Sequence, residues 1–261
     1  MNKPVPNDGT VGKALQVLDL VASLGRPVRF TELLRLSDFP KASLYRFLQT
    51  LTNQGMLSYD PKNQSYAPGL RLVRLAHSAW RQSSLAPVAS PYLDALAKEV
   101  GEAVHLAQLD HGHVLFVDKR KGTGNFDTLA AAGKVAPSYC TGVGKAILAF
   151  MPAAPRNLAL QQQAFLKYTP ATHDTIGGLE NELRSVRQEG IAFDREEHET
   201  GIISIAAPIL IDQKTVVGAL SIATSTSRHK LSDLKAYRSV LLTTANQIAN
   251  AASTWQFPTQ N

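Results

Sequence analysis

Basic and hydroxyl-bearing side chains cluster in the segment PKASLYRFLQTLTNQG, residues 40–55. Its apolar residues at three- and four-residue spacing are Leu44, Phe47, Leu48 and Leu51. This spacing predicts a helix with one face turned to a core, which Gly55 would end. The first turn is then free to reach phosphates and base edges in a DNA major groove. The residues predicted to contact DNA are Arg29, Lys41, Ala42, Ser43, Tyr45, Arg46 and Lys62.

The segments on either side of this helix favour a winged helix-turn-helix. Upstream, the apolar spacing predicts a helix over residues 10–23 and a shorter one over residues 32–36, with Thr31 as its N-cap. Downstream, two short strands at residues 56–59 and 65–67 would form the hairpin of the wing, with a lysine at its tip. The alternative is an ordinary small helical domain capped by a β-hairpin.

The charge distribution argues against that alternative. The formal net charge is +6; residues 1–81 contain 11 Lys+Arg and 5 Asp+Glu, a net of +6, whereas residues 82–261 contain 16 of each. The whole excess therefore lies in the first third of the chain. A local excess of this kind attracts a polyanion in a salt-dependent and sequence-independent manner, so we expect double-stranded DNA as a partner.

Length and composition predict two domains without a membrane segment. A chain of 261 residues with 44% hydrophobic content can form a DNA-binding domain at 1–67, a linker helix at 68–85 and a larger domain at 86–261. No run of about 18 apolar residues is present, and the opening segment lacks the apolar stretch of a signal peptide. The single cysteine, Cys140, excludes an internal disulfide and fits a reducing cytoplasm, where we expect the protein to be.

The predicted linker helix has a wider apolar face than a tether requires. Leu70, Val73, Leu75 and Trp80 belong to that face, which packs either on its own domain or on a second chain. We favour a homodimer, because a two-fold pair of winged helices reads two half-sites of a pseudo-palindromic operator.

The remainder of the chain alternates helices with antiparallel strands. We predict helices at 87–100, 175–189 and 231–253, strands at 103–109, 114–117, 202–211 and 216–223, an exposed charged loop at 119–125 and a strand-like run at 126–132. This order predicts an α+β domain with one central antiparallel sheet.

A glycine-containing turn enters a helix in YCTGVGKAILAFM, residues 139–151. The backbone N–H groups of Gly142 and Val143 would lie at the helix N-terminus, where an anion could be held. The segment is not a nucleotide P-loop, because Ala146 follows the Gly-Lys pair where that motif requires Ser or Thr. Close backbone packing is an equally good explanation of these glycines.

The segment GIAFDREEHETGIISIAAPI, residues 190–209, strongly resembles the signature of the IclR (isocitrate lyase regulator) family of bacterial transcription factors. TGVGKAILA at 141–149 and the winged helix with its linker match that family in order and spacing, so the resemblance covers almost the entire chain. It implies an N-terminal winged helix-turn-helix and a C-terminal effector-binding domain of GAF-like fold. It also implies dimers that often pair into tetramers, and control of catabolic operons by small organic acids or aromatic metabolites.

The resemblance also implies an effector pocket formed by Gly142, Val143, Asp194, Ser204 and Ser221. The first two match the loop whose N–H groups meet the effector, and the other three match an acidic position, a position often held by Cys and a serine position. Ala223 falls where some members have a second serine. Because Ser204 and Ala223 depart from the pattern, an effector cannot be taken from one relative, and we expect a small hydroxylated or keto acid.

Metal-binding and catalytic interpretations have less support. The histidines His105, His111, His113, His173 and His198 lack the HExxH form and a supporting cysteine pair. The acidic run around residue 197 is more typical of a solvated face or a salt-bridged loop, and no nucleophile, base and orienting group occur together. We therefore predict no metal, no cofactor and no enzymatic activity.

The favoured hypothesis is a ligand-responsive repressor of a catabolic operon, controlled by a small organic acid. One alternative is a DNA-binding regulator with a vestigial pocket that answers to a partner protein. The other is an enzyme for a small acid that is fused to a DNA anchor.

Overall fold

The computed structural model describes residues 9–124 and 127–253. Contacts divide the chain into two compact units, Met1–Arg81 and Gln82–Asn261, each described by itself below. The domain and linker boundaries proposed from the sequence stay predictions. Among the described helices, none is long and apolar enough to cross a membrane.

The first unit is a winged helix. Its elements are α1 (Gly9–Ser23), β1 (Val28–Arg29), α2 (Phe30–Leu36), α3 (Lys41–Asn53), β2 (Leu57–Asp60) and β3 (Ser65–Pro68). The three strands form an antiparallel sheet in the order β1-β3-β2. The apolar face of α3 packs with residues of α1 and α2 in one core that contains Val17, Val21, Leu33, Leu44, Phe47 and Leu48. The predicted three helices and hairpin are confirmed.

Two predictions about the ends of these helices have different outcomes. The prediction that Thr31 caps α2 is wrong: α2 begins at Phe30, Arg29 is the N-cap residue, and no side chain caps the helix. Pairing of β1 with β3 holds Arg29 in an extended conformation, which the local sequence did not indicate. The predicted end of α3 is confirmed, because Gly55 follows it with φ +69°, a value that glycine adopts without strain.

The second unit contains a six-stranded antiparallel sheet with helices on both faces. Its strands are β4 (Ala103–Asp110), β5 (His113–Arg120), β6 (Val135–Pro137), β7 (Ala192–Arg195), β8 (Ile202–Ile211) and β9 (Thr215–Ser225), in the order β6-β5-β4-β9-β8-β7. Its helices are α5 (Ala86–Val100), α6 (Gly142–Phe150), α7 (Ala153–Gln162), α8 (Ile176–Glu189) and α9 (Arg238–Ala252), preceded in the chain by α4 (Leu70–Ser83). The predicted α+β class is confirmed.

The two faces of the sheet carry side chains of different size. Leu220 and Ile222 of β9 belong to the core shared with α5 and α9, whereas Ala219 belongs to the core shared with α6 and α8. Strand β8 follows the same alternation, with Ile205 on the first face and Ala206 on the second. Because side chains alternate across a strand, the small residues let α6 approach the sheet closely.

Some predicted elements of this unit are wrong. The segment at 119–125 is not wholly a loop, because β5 continues to Arg120 and pairs Lys119 with His105. No strand covers residues 127–132, the third strand is Val135–Pro137, and Phe126 lies outside the described residues. Helix α7 was not predicted at all. The C-terminal helix begins only at Arg238, after a short 3-10 helix over Asp233–Tyr237.

The close packing of β9 yields a stability test. A Cβ at Gly218 would lie 2.6 Å from the Ala107 carbonyl oxygen and 2.6 Å from Leu85 Cδ1. We therefore expect Gly218→Ala to lower the free energy of unfolding by about 1–3 kcal/mol, the usual effect of overpacking. Gly177→Ala is the control, because its Cβ would meet nothing within 4 Å and should be neutral or stabilising by up to about 1 kcal/mol. Urea unfolding of both variants measures this, and equal stabilities would contradict it.

Candidate functional site

The first turn of α3 presents most of the predicted DNA-contacting residues to solvent. Lys41, Ala42, Tyr45 and Arg46 are exposed and Ser43 is half-buried, because the opposite face of α3 is occupied by core residues. The Arg46 guanidinium lies 5.8 Å from the Phe47 ring centre. This distance is within the range of a cation–π contact, and Arg46 remains exposed to solvent.

A groove of about 760 Å³ separates the first turn of α3 from the wing. It is lined by Arg29, Phe30, Thr31, Lys41, Ala42, Tyr45, Tyr59, Gln64 and Tyr66. Four of the seven predicted DNA-contacting residues are thus brought together, whereas Ser43, Arg46 and Lys62 do not line the groove. The wing tyrosines, whose ring centres lie 4.9 Å apart, were missed. Their positions on the two strands of the predicted hairpin, on either side of Lys62, were the available signal.

Hydrogen bonds hold the tip of the wing. Arg29 Nε donates to the Asn63 carbonyl oxygen at 3.2 Å, which ties β1 to the turn. The Asp60 carboxylate accepts from Asn63 Nδ2 at 2.7 Å and from the Lys62 backbone N–H at 2.9 Å. These bonds hold the pKa of Asp60 below its usual range. Lys62 therefore projects, exposed, from a fixed turn.

In the second unit, strand pairing aligns polar residues in two rows on one face of the sheet. His105 of β4 pairs with Ser221 of β9. Two residues away, Asp194 of β7 pairs with Ser204 of β8, and Ser204 pairs with Ala223 of β9. Cross-strand neighbours on one face have side chains close together, so these groups converge. Three of the five predicted effector-binding residues thus lie within two adjacent rows.

The N-terminus of α6 covers these rows. Thr141 caps the helix: its Oγ1 accepts from the Gly144 N–H at 3.2 Å and donates to the Pro137 carbonyl oxygen at 2.9 Å. A Cβ on Gly142 would lie 2.7 Å from Ser204 Oγ, and one on Gly144 would lie 2.3 Å from the Ser138 carbonyl oxygen. Close packing therefore requires both glycines. Gly142 and Val143 also line the space beneath, where first-turn N–H groups have no partner within the helix.

The space between α6 and the rows is a small polar cavity of about 40 Å³. Its polar lining includes His105, Thr128, Thr141, Asp194, Glu199, Ser204 and Ser221, and its apolar lining includes Phe116, Ala130, Ile202 and Ala223. Among the described residues that line it there are two carboxylates but no Lys or Arg. A negatively charged ligand would therefore rely on hydrogen-bond donors for its recognition.

Burial shifts the protonation of the groups around this cavity. Desolvation, reinforced by the Glu197 carboxylate, raises the pKa of Asp194 to about 7. Hydrogen bonds from the backbone N–H groups of Glu197 and His198 lower this pKa, but by less than the other two effects raise it. Desolvation lowers the pKa of His105 to about 3, so its imidazole is neutral. Burial also raises the pKa of the Cys140 thiol, which leaves this cysteine unreactive.

A buried ion pair beside the cavity was missed by the sequence interpretation. Lys145 of α6 is fully buried and its Nζ contacts the Glu197 carboxylate, with Glu182 at 3.5 Å. Arg195 Nη1 lies 2.6 Å from the same Glu182 carboxylate. The acidic run around Glu197 is therefore a salt-bridged loop and not a solvated face. A lysine one turn into an apolar helix was the only local signal.

Within residues 9–124 and 127–253, no group of three or more His, Cys, Asp or Glu side chains is arranged to hold a metal ion. Of the histidines considered above, His105 and His198 line the cavity.

A helix-turn-helix unit with an exposed basic helix, followed by an α+β unit that encloses a polar cavity, is the organisation of a DNA-binding regulator. Two family models match the chain: Bacterial transcriptional regulator IclR C-terminal over residues 77–250, and IclR helix-turn-helix domain over residues 10–61. The chain belongs to the IclR family of bacterial transcriptional regulators. It is a transcriptional regulator, and relatives in Escherichia coli (strain K12) are likewise named as transcriptional regulators and not as enzymes.

The similarity extends along nearly the whole chain. The DNA-binding transcriptional repressor YiaJ of Escherichia coli (strain K12) is 29% identical over 243 residues, covering 91% of this chain and 86% of that protein. The IclR structure from Thermotoga maritima has a TM-score of 0.73 at 26% identity, covering 94% of this chain and 98% of that one. An IclR homolog from Microbacterium hydrocarbonoxydans complexed with 4-hydroxybenzoate has a TM-score of 0.78 at 21% identity, covering 93% and 98%, which shows a shared fold.

The raised pKa of Asp194 predicts a pH dependence of stability. Between about pH 4 and about pH 7 the folded protein keeps a proton on Asp194 that the unfolded chain has lost, so stability falls as pH rises through this window. Asp194→Asn should remove this loss, because an amide oxygen can still accept from the Glu197 N–H. Urea unfolding at about pH 5 and about pH 8 should show wild type losing stability relative to the variant.

The exposed turn residue Asp212 supplies the control, since Asp212→Asn should not change the pH dependence. If the wild-type and Asp194→Asn curves ran parallel across this range, Asp194 would be ionised throughout and its expected pKa would be wrong.

Proposed function

We propose that this regulator is a cytoplasmic, ligand-responsive repressor of a catabolic operon, and that a small organic acid controls its affinity for a pseudo-palindromic operator. The observation that carries this proposal is the polar cavity enclosed by the α6 N-terminus and the rows containing Asp194, Ser204 and Ser221. The similarity to a protein named as a repressor supports the direction of control.

The chemistry of the cavity supports an acid as the effector. The N–H groups of Gly142 and Val143 suit a carboxylate. Ser204 and Ser221 add two hydroxyl groups that can bind further oxygen atoms of the effector. Asp194, with a pKa of about 7, can carry a proton and then donate to the effector, which lessens repulsion between the two acids. The Microbacterium protein shows that an aromatic hydroxy acid binds to a protein of this fold.

Effector binding requires movement of the lining. A volume of about 40 Å³ exceeds the roughly 10–15 Å³ that one water molecule needs and is far below the roughly 300–1,000 Å³ of typical ligand pockets. We therefore infer that the loop at 127–130 or the loop at 196–201 shifts when the effector enters. By linkage, the effector alters operator affinity only by the difference between its affinities for the two arrangements, typically about 1–3 kcal/mol.

The exposed apolar side chains of α4 support the proposal of an oligomer. Leu70 is 86% exposed, Val73 is 65% exposed and Trp80 is 36% exposed. Apolar side chains of this size are seldom left in contact with water along one helix. We propose that α4 packs against its counterpart in a homodimer, which can pair into a homotetramer on DNA.

The proposed DNA interface is tested by charge removal. Arg46→Ala and Lys41→Ala should each weaken binding to the operator, and Lys62→Ala should weaken binding to operator and random DNA alike. Loss of one phosphate contact should reduce the slope of log affinity against log salt by about 1. Titration of fluorescent duplexes at several salt concentrations measures both quantities.

Lys214→Ala is the matched control, because it removes an exposed positive charge in the β8–β9 turn. Unchanged DNA affinity in both α3 variants would place the reading surface elsewhere.

The proposed effector site is tested by a thermal-shift screen against small organic and aromatic acids, with operator binding of every hit assayed at fixed salt. Ser204→Leu should abolish the response to a hit and leave DNA affinity intact, because the leucine fills the cavity. Ser185→Leu, the same change on the exposed face of α8, should respond normally. A Ser204→Leu protein with a normal response would rule out this cavity, and no hit in the screen would favour the vestigial-pocket alternative.

A further inference from the structure

A lysine outside the predicted effector-binding set is tied to the wall of the cavity. Lys119 has a side chain that is only 12% exposed. Its Nζ contacts the Asp127 carboxylate and donates to the Ala130 carbonyl oxygen at 2.8 Å and to Thr128 Oγ1 at 3.0 Å. The loop at 127–130 is thereby fastened to β5, and Thr128 and Ala130 form part of the cavity lining.

Strand pairing continues this contact across the sheet. Lys119 pairs with His105, and His105 pairs with Ser221, so the three residues are successive neighbours on β5, β4 and β9. Thr128 Oγ1 lies 3.1 Å from His105 Nε2, and His105 Nδ1 lies 3.4 Å from Ser221 Oγ. A continuous series of polar contacts therefore runs from the lysine to the cavity serine.

The hydrogen bond from the Lys119 ammonium constrains the direction of this series. An ammonium group only donates, so Thr128 Oγ1 accepts from Lys119. In the first of two possible directions, the hydroxyl proton of Thr128 goes to His105 Nε2, which is then the unprotonated nitrogen. His105 consequently carries its proton on Nδ1 and directs it at Ser221 Oγ, and the Ser221 hydroxyl proton is left to point into the cavity.

The opposite direction makes the same number of hydrogen bonds but leaves a different hydroxyl proton without an acceptor. If Ser221 donated to Nδ1 and Nε2–H donated to Thr128, the Thr128 proton would have no acceptor among its contacts in the described part of the chain. The Lys119 ammonium disfavours this arrangement, because it would turn the Nε2–H and the free Thr128 proton toward a positively charged neighbourhood, whereas the first arrangement leaves the free Ser221 proton in the polar cavity. Burial together with the Lys119 ammonium lowers the pKa of His105 to about 3, so a doubly protonated ring does not intervene.

We propose that Lys119, Thr128 and His105 are positioning residues that fix Ser221 as a hydrogen-bond donor, so that the effector presents a carboxylate or carbonyl oxygen to Ser221. The statement about the effector rests on the function proposed above. The direction of the hydrogen bonds from Lys119 to Ser221 does not depend on that function. Ser221 would discriminate against ligands that place a group without an acceptor, such as an ammonium or a methyl, at this point.

The direction is tested in the ligand-free, full-length protein labelled with ¹⁵N-histidine. Long-range ¹H–¹⁵N spectra distinguish a protonated ring nitrogen from an unprotonated one. The signals of His105 are identified by their contacts with Phe116, whose ring centre lies 5.6 Å away. We expect Nε2 to be unprotonated and Nδ1 to be protonated. A protonated Nε2 with an unprotonated Nδ1 would overturn the proposal.

Matched variants separate an orienting role from a structural one. Thr128→Val keeps the shape of the side chain but removes the hydroxyl, and should shift His105 toward a mixture of tautomers. Thr128→Ser restores the hydroxyl and should restore the wild-type spectrum. If both variants gave the wild-type tautomer, Thr128 would not orient the ring, and the proposed role of Thr128 as a positioning residue would be refuted.

The effector half is tested with sodium pyruvate and sodium 4-hydroxybenzoate as probes, followed by the acids found in the screen. For an acid that binds wild type, Thr128→Val should weaken binding roughly 2- to 10-fold, the usual range for one hydrogen bond, while Thr128→Ser should not. Equal affinities of the two variants would overturn the donor role of Ser221. A failure of all acids to bind would refute the proposed function. The tautomer of His105 tests the direction of the hydrogen bonds independently of that result.

Discussion

The buried ion pair between Lys145 and Glu197 is the interaction on which the cavity depends. It joins α6, whose N-terminus covers the cavity, to the loop that follows β7. The Glu197 N–H donates to Asp194 Oδ1 at 2.8 Å, so the same residue that fixes the helix also orients the carboxyl group in the wall. Removing one partner of such a pair typically costs about 3–5 kcal/mol, because the other charge stays buried without compensation.

The division of the sheet into two faces lets one small domain contain both a stable core and a polar cavity. The large side chains of β8 and β9 pack on α5 and α9, and need no contribution from the cavity face. On the other face, alanines bring α6 near the sheet until Gly142 lies against Ser204. Polar residues therefore accumulate at one end of that face without weakening the main core.

Local sequence patterns predicted the elements whose stability is local. The spacing of Leu44, Phe47 and Leu48 was sufficient for α3, and two apolar runs joined by a polar turn were sufficient for the long strands β8 and β9. The motif around 190–209 identified the family, and with it the set of cavity residues. Assigning a role to those residues from the sequence alone required the resemblance, since nothing local brings Gly142 near Ser204.

The errors share a cause, which is a partner distant in the chain. Lys119 was placed in an exposed loop because charged, glycine-containing segments usually are loops, but it pairs with His105 and is held by Thr128. Lys145 lies 52 positions from Glu197, so the local sequence around either residue did not indicate that the two form a buried ion pair. Thr31 failed as a cap because β1 pairs with β3 and begins α2 earlier.

The two units respond to ions in different ways, which bears on how regulation can work. The excess of +6 lies in residues 1–81, so attraction to DNA weakens steeply as salt rises. The effector proposed for the cavity would meet no lysine or arginine in the described lining, and we expect its recognition to depend on hydrogen bonds in a buried site that salt screens little. Under the proposed function, effector affinity and DNA affinity are therefore set by separate physical terms. We expect a change in ionic strength to alter occupancy of the operator and to leave the effector's contribution nearly constant.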